Sequence, residues 1–504
     1  MKKILLTLIL LFGINAVSHA NDNLREMFQN NESIIYSVNL RTFNANDKNG
    51  NGLIDFSLGE NSGTFLNAIN RLDEIKELGV NTLHLLPINS VGKIKALGTA
   101  GSLYAMSDFT TLNSQLVDVE SELSPREQAK LFIQECHNRG IKVMVDLPSC
   151  GAYDLYINRP DLFVLDKDGS AFIPADWVDV RLFDIPNNEK LLKSDIFNLH
   201  KFFVRYMIEL GVDGIRADVA TIKPLIFWKE LISFARKIDP NFLFLAEASE
   251  AWTQPASEKA YFTDYKQLMT AGFDGYYGNY FDLKNWKSMK DLAQPVKNQQ
   301  KIFKKYKEKK SVIGSFETHD VVSPLLTGGE NYSKIIIWLN ATLPLNPYYV
   351  DGFLQADDYI YEYSNKKASE TFTDDEFYYV HQGQIDIFNF SRKPGSDSTV
   401  LIEEHKKAIE LRKTFEEAIT KGKFIQLSKD DSEIFAYQRT LNNKSVVIII
   451  NRNLVKSNDL NIKIKNIGKK STIDFLKQSS DVLLTGSRLL GKLKPAEILI
   501  LTVK

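Results

Sequence analysis

Short apolar runs alternate with amphipathic helical stretches from about residue 33 to residue 350, and this alternation constrains the chain more than any other feature. Runs separated by a helix cannot pair as hairpins, so they return parallel, with the helices covering the sheet. The expected strands are 34–40, 82–86, 142–147, 214–217, 242–246, 272–276, 312–316 and 346–350. Between them, 64–78, 125–139, 189–210 and 224–237 carry apolar residues at three- and four-residue spacing and are expected to be helices. No Gly-x-Gly-x-x-Gly turn follows the first run, which argues against an open dinucleotide-binding sheet, and eight units favour a closed (β/α)8 TIM barrel.

Residues from about 150 to 188 have several turn signals and little periodicity, so they are read as a long excursion after the third strand. Beyond a helical stretch at about 398–420 the pattern becomes short strands at 424–427, 434–439, 445–451, 459–464 and 497–503. The expectation is a barrel over 21–420 and an antiparallel β-sandwich over 421–504.

The first twenty residues combine Lys2-Lys3, an apolar stretch and Ser18-His19-Ala20, the pattern of a secretory signal. An exported protein, periplasmic or secreted, is expected, with no membrane span in the mature chain. A hydrophobic content of 44% and a formal net charge of −1 fit an ordinary globular protein and give no electrostatic case for nucleic acid. The two cysteines are expected to stay unpaired, because Cys136 reads as helical and Cys150 follows the next strand.

Barrel enzymes place their chemistry where strands end, so polar residues there take priority. The fourth strand ends Gly214-Ile215-Arg216-Ala217-Asp218, the fifth Leu245-Ala246-Glu247, and the seventh Phe316-Glu317-Thr318-His319-Asp320. Acetal cleavage needs one carboxylate at the anomeric carbon and one carboxylic acid at the leaving oxygen. Asp218 and Glu247, on neighbouring strands ~4.8 Å apart, could supply them near the ~5.5 Å separation of retaining enzymes. Arg216, two residues before Asp218, should keep the aspartate ionised, whereas Glu247 has no adjacent cation in sequence and suits the proton donor.

These segments resemble those of the α-amylase superfamily of retaining glycoside hydrolases. Val212-Asp213-Gly214-Ile215-Arg216-Ala217-Asp218 is similar to its nucleophile segment, Phe244-Leu245-Ala246-Glu247 to its acid/base segment, and Thr318-His319-Asp320 to its transition-state segment. Residues Gly79-Val80-Asn81 through Leu86-Pro87-Ile88 resemble the second barrel strand, and Tyr104 through Asp108-Phe109 the loop after it. The resemblance implies that Asp218 forms a covalent glycosyl intermediate, Glu247 acts as acid then base, and Asp320 holds sugar hydroxyls. It further implies that Arg216 orients Asp218, His319 binds sugar hydroxyls and Tyr104 stacks on the sugar, with an oligo- or polysaccharide as substrate.

The pattern is broken in places. Asp146-Leu147-Pro148-Ser149-Cys150-Gly151 keeps the aspartate of the family's third-strand segment and loses its Asn-His pair. Val219-Ala220-Thr221-Ile222 lacks the Lys-His pair that often grips starch, and the segment around Asn346-Pro347-Tyr348 is only loosely similar. A catalytically impaired carbohydrate-binding relative is therefore the second reading. A phosphate-handling barrel has no glycine-rich anion loop to support it.

Asp47-Lys48-Asn49-Gly50-Asn51-Gly52-Leu53-Ile54-Asp55 places oxygen donors at alternate residues around two glycines. Asp47, Asn49, Asn51, the Leu53 carbonyl and Asp55 could converge on a structural calcium. Leu58 stands where an EF-hand has its bidentate glutamate, so no EF-hand is expected.

Overall fold

The structure is a computed structural model, and it describes residues 23–46, 48, 56–96, 101–175, 177–357, 399–467 and 471–504. The expected signal (1–20) and the five expected calcium ligands, Asp47, Asn49, Asn51, Leu53 and Asp55, lie outside the described residues.

Eight parallel strands form the central sheet: β1 (Ile35–Val38), β2 (Thr82–Leu85), β3 (Lys142–Leu147), β6 (Gly214–Ala217), β7 (Leu243–Ala246), β8 (Gly275–Tyr276), β9 (Ser311–Val312) and β10 (Tyr348–Val350). The excursion after β3 contributes a small antiparallel pair, β4 (Gly151–Ala152) with β5 (Val180–Arg181). The barrel order is β10-β1-β2-β3-β6-β7-β8-β9. A parallel bridge between Ile313 and Asn346 joins the two ends and closes the ring. All eight strands fall inside or within one residue of the expected runs, although β8 and β9 keep only two residues of ladder each.

Period-2 alternation then sorts the side chains. Ile35, Met144, Leu243, Leu245, Ile313 and Tyr348 pack together as the barrel interior. Val143, Val145, Ile215 and Phe244 point outward into the larger cluster shared with the helices. Gly214 has to lack a side chain, because a Cβ there would stand 2.6 Å from Leu243 Cβ. The inward series continues up the strands from Met144 to Asp146, from Gly214 to Arg216 and Asp218, and from Leu245 to Glu247. An apolar interior thus changes into a charged rim at the C-terminal end.

The expected helix over 125–139 is Pro125–Asn138, opened by a capping box between Ser124 and Glu127. The expected helix over 64–78 is instead broken into Phe65–Ala68, a 3-10 turn and Leu72–Glu77. Cys136 and Cys150 are both buried and free. Among the described residues no helix is long and apolar enough to cross a membrane.

After the helices Thr399–Thr414 and Glu416–Thr420, β11 (Lys423–Gln426), β12 (Ile434–Leu441), β13 (Lys444–Asn451), β18 (Ile498–Val503) and β15 (Ile473–Lys477) form an antiparallel sheet. A second sheet comprises β14 (Asn458–Lys463), β17 (Arg488–Leu493) and β16 (Val482–Thr485). Val447, Ile449 and Leu499 from the first sheet pack against Leu460, Ile462 and Leu489 from the second, which makes a sandwich. It is tied to the barrel by Tyr437 and Thr342, whose hydroxyls lie 2.6 Å apart.

Candidate active site

The rim charges are arranged around Arg216, whose side chain is almost fully buried on β6. Strand register sets Arg216 beside Asp146 on one side and Leu245 on the other. Nη1 of Arg216 lies 3.2 Å from Asp146 Oδ1 and 3.1 Å from Asp218 Oδ1, and Nη2 lies 3.0 Å from Glu247 Oε1. Its Nε donates to the Tyr277 hydroxyl at 2.9 Å. One guanidinium therefore contacts three carboxylates.

Glu247 has no cation adjacent in sequence, yet in the fold Arg216 stands beside it. The neighbour comes from the adjacent strand, 31 positions earlier in the chain, where sequence adjacency cannot reveal it.

The carboxylates nevertheless differ in acidity. Burial pushes Glu247 up to about 8, aided by repulsion from Asp218 and Asp320 and opposed by Arg216. For Asp146 burial acts upward too, but Arg216 and His84 overcome it and hold the group down at about 2. Asp320 sits among crowding protein atoms that raise it to about 6, although its side chain, at 36% exposure, is the most open of these groups. The site thus pairs a carboxylic acid protonated at neutral pH with ionised partners, which is the division of labour that acid catalysis requires.

Tyr104 donates its hydroxyl proton to Asp146 Oδ2 at 2.6 Å, so it must accept from His319 Nε2 at 2.7 Å. His319 therefore carries a proton on Nε2, and burial together with the Arg216 charge, which lower it to about 3, keep the ring neutral. The two rings stack with centroids 5.7 Å apart. His84 completes the network, with Nε2 3.1 Å from Asp146 Oδ1 and Nδ1 3.0 Å from the Tyr348 hydroxyl.

A cavity of about 720 Å³ opens over this network. Tyr104, Asp218, Glu247 and Asp320 all line it, so four separate segments of the sequence converge on one hollow. Arg216 lies beneath its floor. A larger cavity of about 1350 Å³, between the barrel and the sandwich, contains none of these residues. Size alone is a poor guide here; the convergence of carboxylates identifies the site.

Several lining residues carried no signal in the segment comparison. Trp177 from the excursion and Trp252 from the loop after β7 form half-buried walls. Val219, directly after Asp218, has φ of +32°, a conformation a β-branched residue rarely adopts, and it aims its N–H at Glu247 Oε2, 2.7 Å away. Lys223 does not reach the cleft. It is buried beneath the rim with Nζ 2.9 Å from the Ser149 carbonyl, and burial pulls it down to about 8.

No family model matches the chain. Among curated proteins it is similar to an α-1,4-glucan:maltose-1-phosphate maltosyltransferase of Myxococcus xanthus, 28% identical over 253 residues, which are 47% of this chain and 36% of that protein. The counterpart in Mycolicibacterium smegmatis is 28% identical over 210 residues, 38% of this chain and 29% of that protein. These matches span about a third of the relatives' length. Among solved structures, a noncanonic maltogenic α-amylase of Thermotoga neapolitana superposes with a TM-score of 0.68 at 20% identity, covering 94% of this chain and 99% of that one. An α-amylase of Lactobacillus plantarum gives 0.65 at 19% identity, covering 94% and 99%. The chain thus shares the fold of these α-amylases, a (β/α)8 barrel followed by a C-terminal antiparallel β domain, and part of its sequence is similar to the maltosyltransferases.

Proposed function

We propose that this protein is a retaining glycoside hydrolase or transglycosylase of α-amylase type, acting on α-glucans or α-glucosides. The observation that carries the reading is the Arg216 guanidinium, in contact with both Asp218 and Glu247 at the floor of a cavity that Asp320 also lines. The cavity falls within the ~300–1,000 Å³ typical of small-ligand sites.

In this reading Asp218, held by the Arg216 hydrogen bond, attacks the anomeric carbon while Glu247 gives its proton to the departing oxygen. Water, or a sugar hydroxyl, then attacks the glycosyl ester, and Glu247 takes up the incoming proton. In the same reading Asp320 accepts hydrogen bonds from sugar hydroxyls, and Tyr104, backed by the buried His319, forms the adjacent wall. Asp146 serves as a fixed counter-charge to Arg216.

The names of the similar proteins point both ways on the acceptor: the curated relatives are named as maltosyltransferases and the structural neighbours as α-amylases. Turnover of maltooligosaccharides, starch, pullulan, trehalose and sucrose by the wild type and Asp218→Asn tests the reading, and longer oligosaccharides among the products identify transfer. Saturable binding without turnover on any of them would favour a carbohydrate-binding relative instead.

Two further parts of the reading rest on sequence. Residues 1–20 are proposed to direct export, so the N-terminus of the exported protein should lie near Asn21. Residues 47–55 are proposed to hold a structural calcium through Asp47, Asn49, Asn51, Leu53 and Asp55, and the described residues flanking them are tied by the Asn46–Asn61 bridge.

A further inference from the structure

Two donors from one residue converge on a single oxygen of Asp218. The Ser149 N–H lies 2.9 Å from Oδ2 and the Ser149 hydroxyl 2.7 Å from the same atom. The other carboxylate oxygen takes the Arg216 Nη1 donor. The hydroxyl also lies 3.7 Å from Cys150 Sγ, a far weaker contact.

Ser149 is 3% exposed and is itself held in place. Its carbonyl accepts from the Nζ of Lys223, and the Lys223 carbonyl accepts from the Thr263 hydroxyl at 2.7 Å. Lys223, at 1% exposure, sits just past the turn that begins at Asp218. The donors on Oδ2 are therefore fixed from beneath and do not depend on a mobile side chain.

We propose that Ser149 is a positioning residue whose hydroxyl stabilises the Asp218 carboxylate each time it is released, and so sets the balance between the two chemical steps. This rests on the reading of Asp218 as the nucleophile. In the first step an Asp218 oxygen bonds to the anomeric carbon, the glycosidic C–O bond breaks, and its electron pair leaves on the oxygen that takes the Glu247 proton. In the second step an acceptor O–H attacks the anomeric carbon, its proton passes to Glu247, and the ester electrons return to Asp218.

Negative charge on Asp218 thus falls in the first step and is restored in the second. A fixed donor favours the free carboxylate over the transition states and those over the neutral ester. It slows formation of the ester and speeds its breakdown. Removing the hydroxyl leaves the backbone N–H in place, so the carboxylate remains oriented while the balance shifts.

The test is rapid-mixing kinetics with 4-nitrophenyl α-maltoside on the wild type, Ser149→Ala, Ser149→Thr and Asp218→Asn. For Ser149→Ala we expect release of one equivalent of nitrophenol at an undiminished rate, then a steady rate lowered roughly tenfold. Intact mass should show the glycosyl adduct accumulating during that steady phase, and Ser149→Thr should restore the wild-type pattern. Ser149→Cys, close in size with a weaker donor, should give the same shift in smaller measure and serves if the alanine variant folds poorly. If the wild type turns over and Asp218→Asn does not, while Ser149→Ala keeps the wild-type burst and steady rate, the proposal for Ser149 is overturned and the nucleophile assignment stands. Equal slowing of burst and steady phases, unrescued by threonine, would also overturn it. Undiminished turnover by Asp218→Asn would overturn the reading of the site itself and Ser149 with it.

Discussion

Arg216 Nη2 lies 3.0 Å from Glu247 Oε1, yet it directs no N–H along that line. The contact sets a cation against a carboxyl group without a hydrogen bond, and it is weaker than the aligned bond Arg216 makes to Asp218. This weak opposition from Arg216 is a physical reason why burial prevails at Glu247 and raises it to about 8.

A pH dependence follows. Glu247 should remain a proton donor up to about pH 8, so kcat/KM should fall on the alkaline side near that value. The sign for stability is the reverse of an ordinary salt-bridged carboxylate. Between its ordinary value of 4.5 and about 8 the folded protein holds a proton on Glu247 that the unfolded chain has lost, so this group makes stability decline as pH rises. Melting temperatures of Glu247→Gln measured from pH 5 to 8 should lose part of that decline, and an unchanged slope would count against a buried, protonated Glu247.

Arg216→Met should be strongly destabilising, by about 3–5 kcal/mol, because it strands buried negative charge that the guanidinium offsets. Urea titrations at neutral pH read the loss. At pH 4 the loss should shrink, since Asp320, ionised at neutral pH and stabilised by the Arg216 charge, is protonated there in the folded state.

Trp252 and Trp177 line the same cavity as Asp218, Glu247 and Asp320. Trp252→Ala should raise KM by roughly tenfold, equivalent to about 1.4 kcal/mol, with little change in kcat. A matching fall in kcat would mean that the ring shapes the transition state.

If residues 47–55 hold calcium, a chelator should lower the melting temperature before it lowers the intrinsic rate. Thermal unfolding with and without a chelator, followed by calcium add-back, checks this. An unchanged melting temperature would contradict the proposed loop.

The barrel was legible because each strand is a short apolar run bounded by helices, and the alternation that put Asp218 and Glu247 on the inward face is visible in the residues themselves. β15, β16 and β17 were not anticipated: their solvent faces carry Leu476, Leu483 and Leu490, which blur the alternation a half-buried strand should have. The Arg216–Glu247 contact was hidden because it crosses between strands. Ser149 stands in the segment that departs from the family pattern, and its hydroxyl meets Asp218, 69 positions further on, only once β3 and β6 lie side by side. Trp177 and Trp252 had a faint signal, as large aromatics in loops following barrel strands, the place where ligands bind.

The most direct test of the central claim is to trap the glycosyl-enzyme with a slowly released fluorinated α-glucosyl fluoride and map the labelled peptide by mass spectrometry. The account predicts one glycosyl group on the carboxylate of Asp218, none on the Asp218→Asn variant, and products that keep the α configuration. Turnover that inverts the anomeric carbon, or a label carried on another residue, would contradict it.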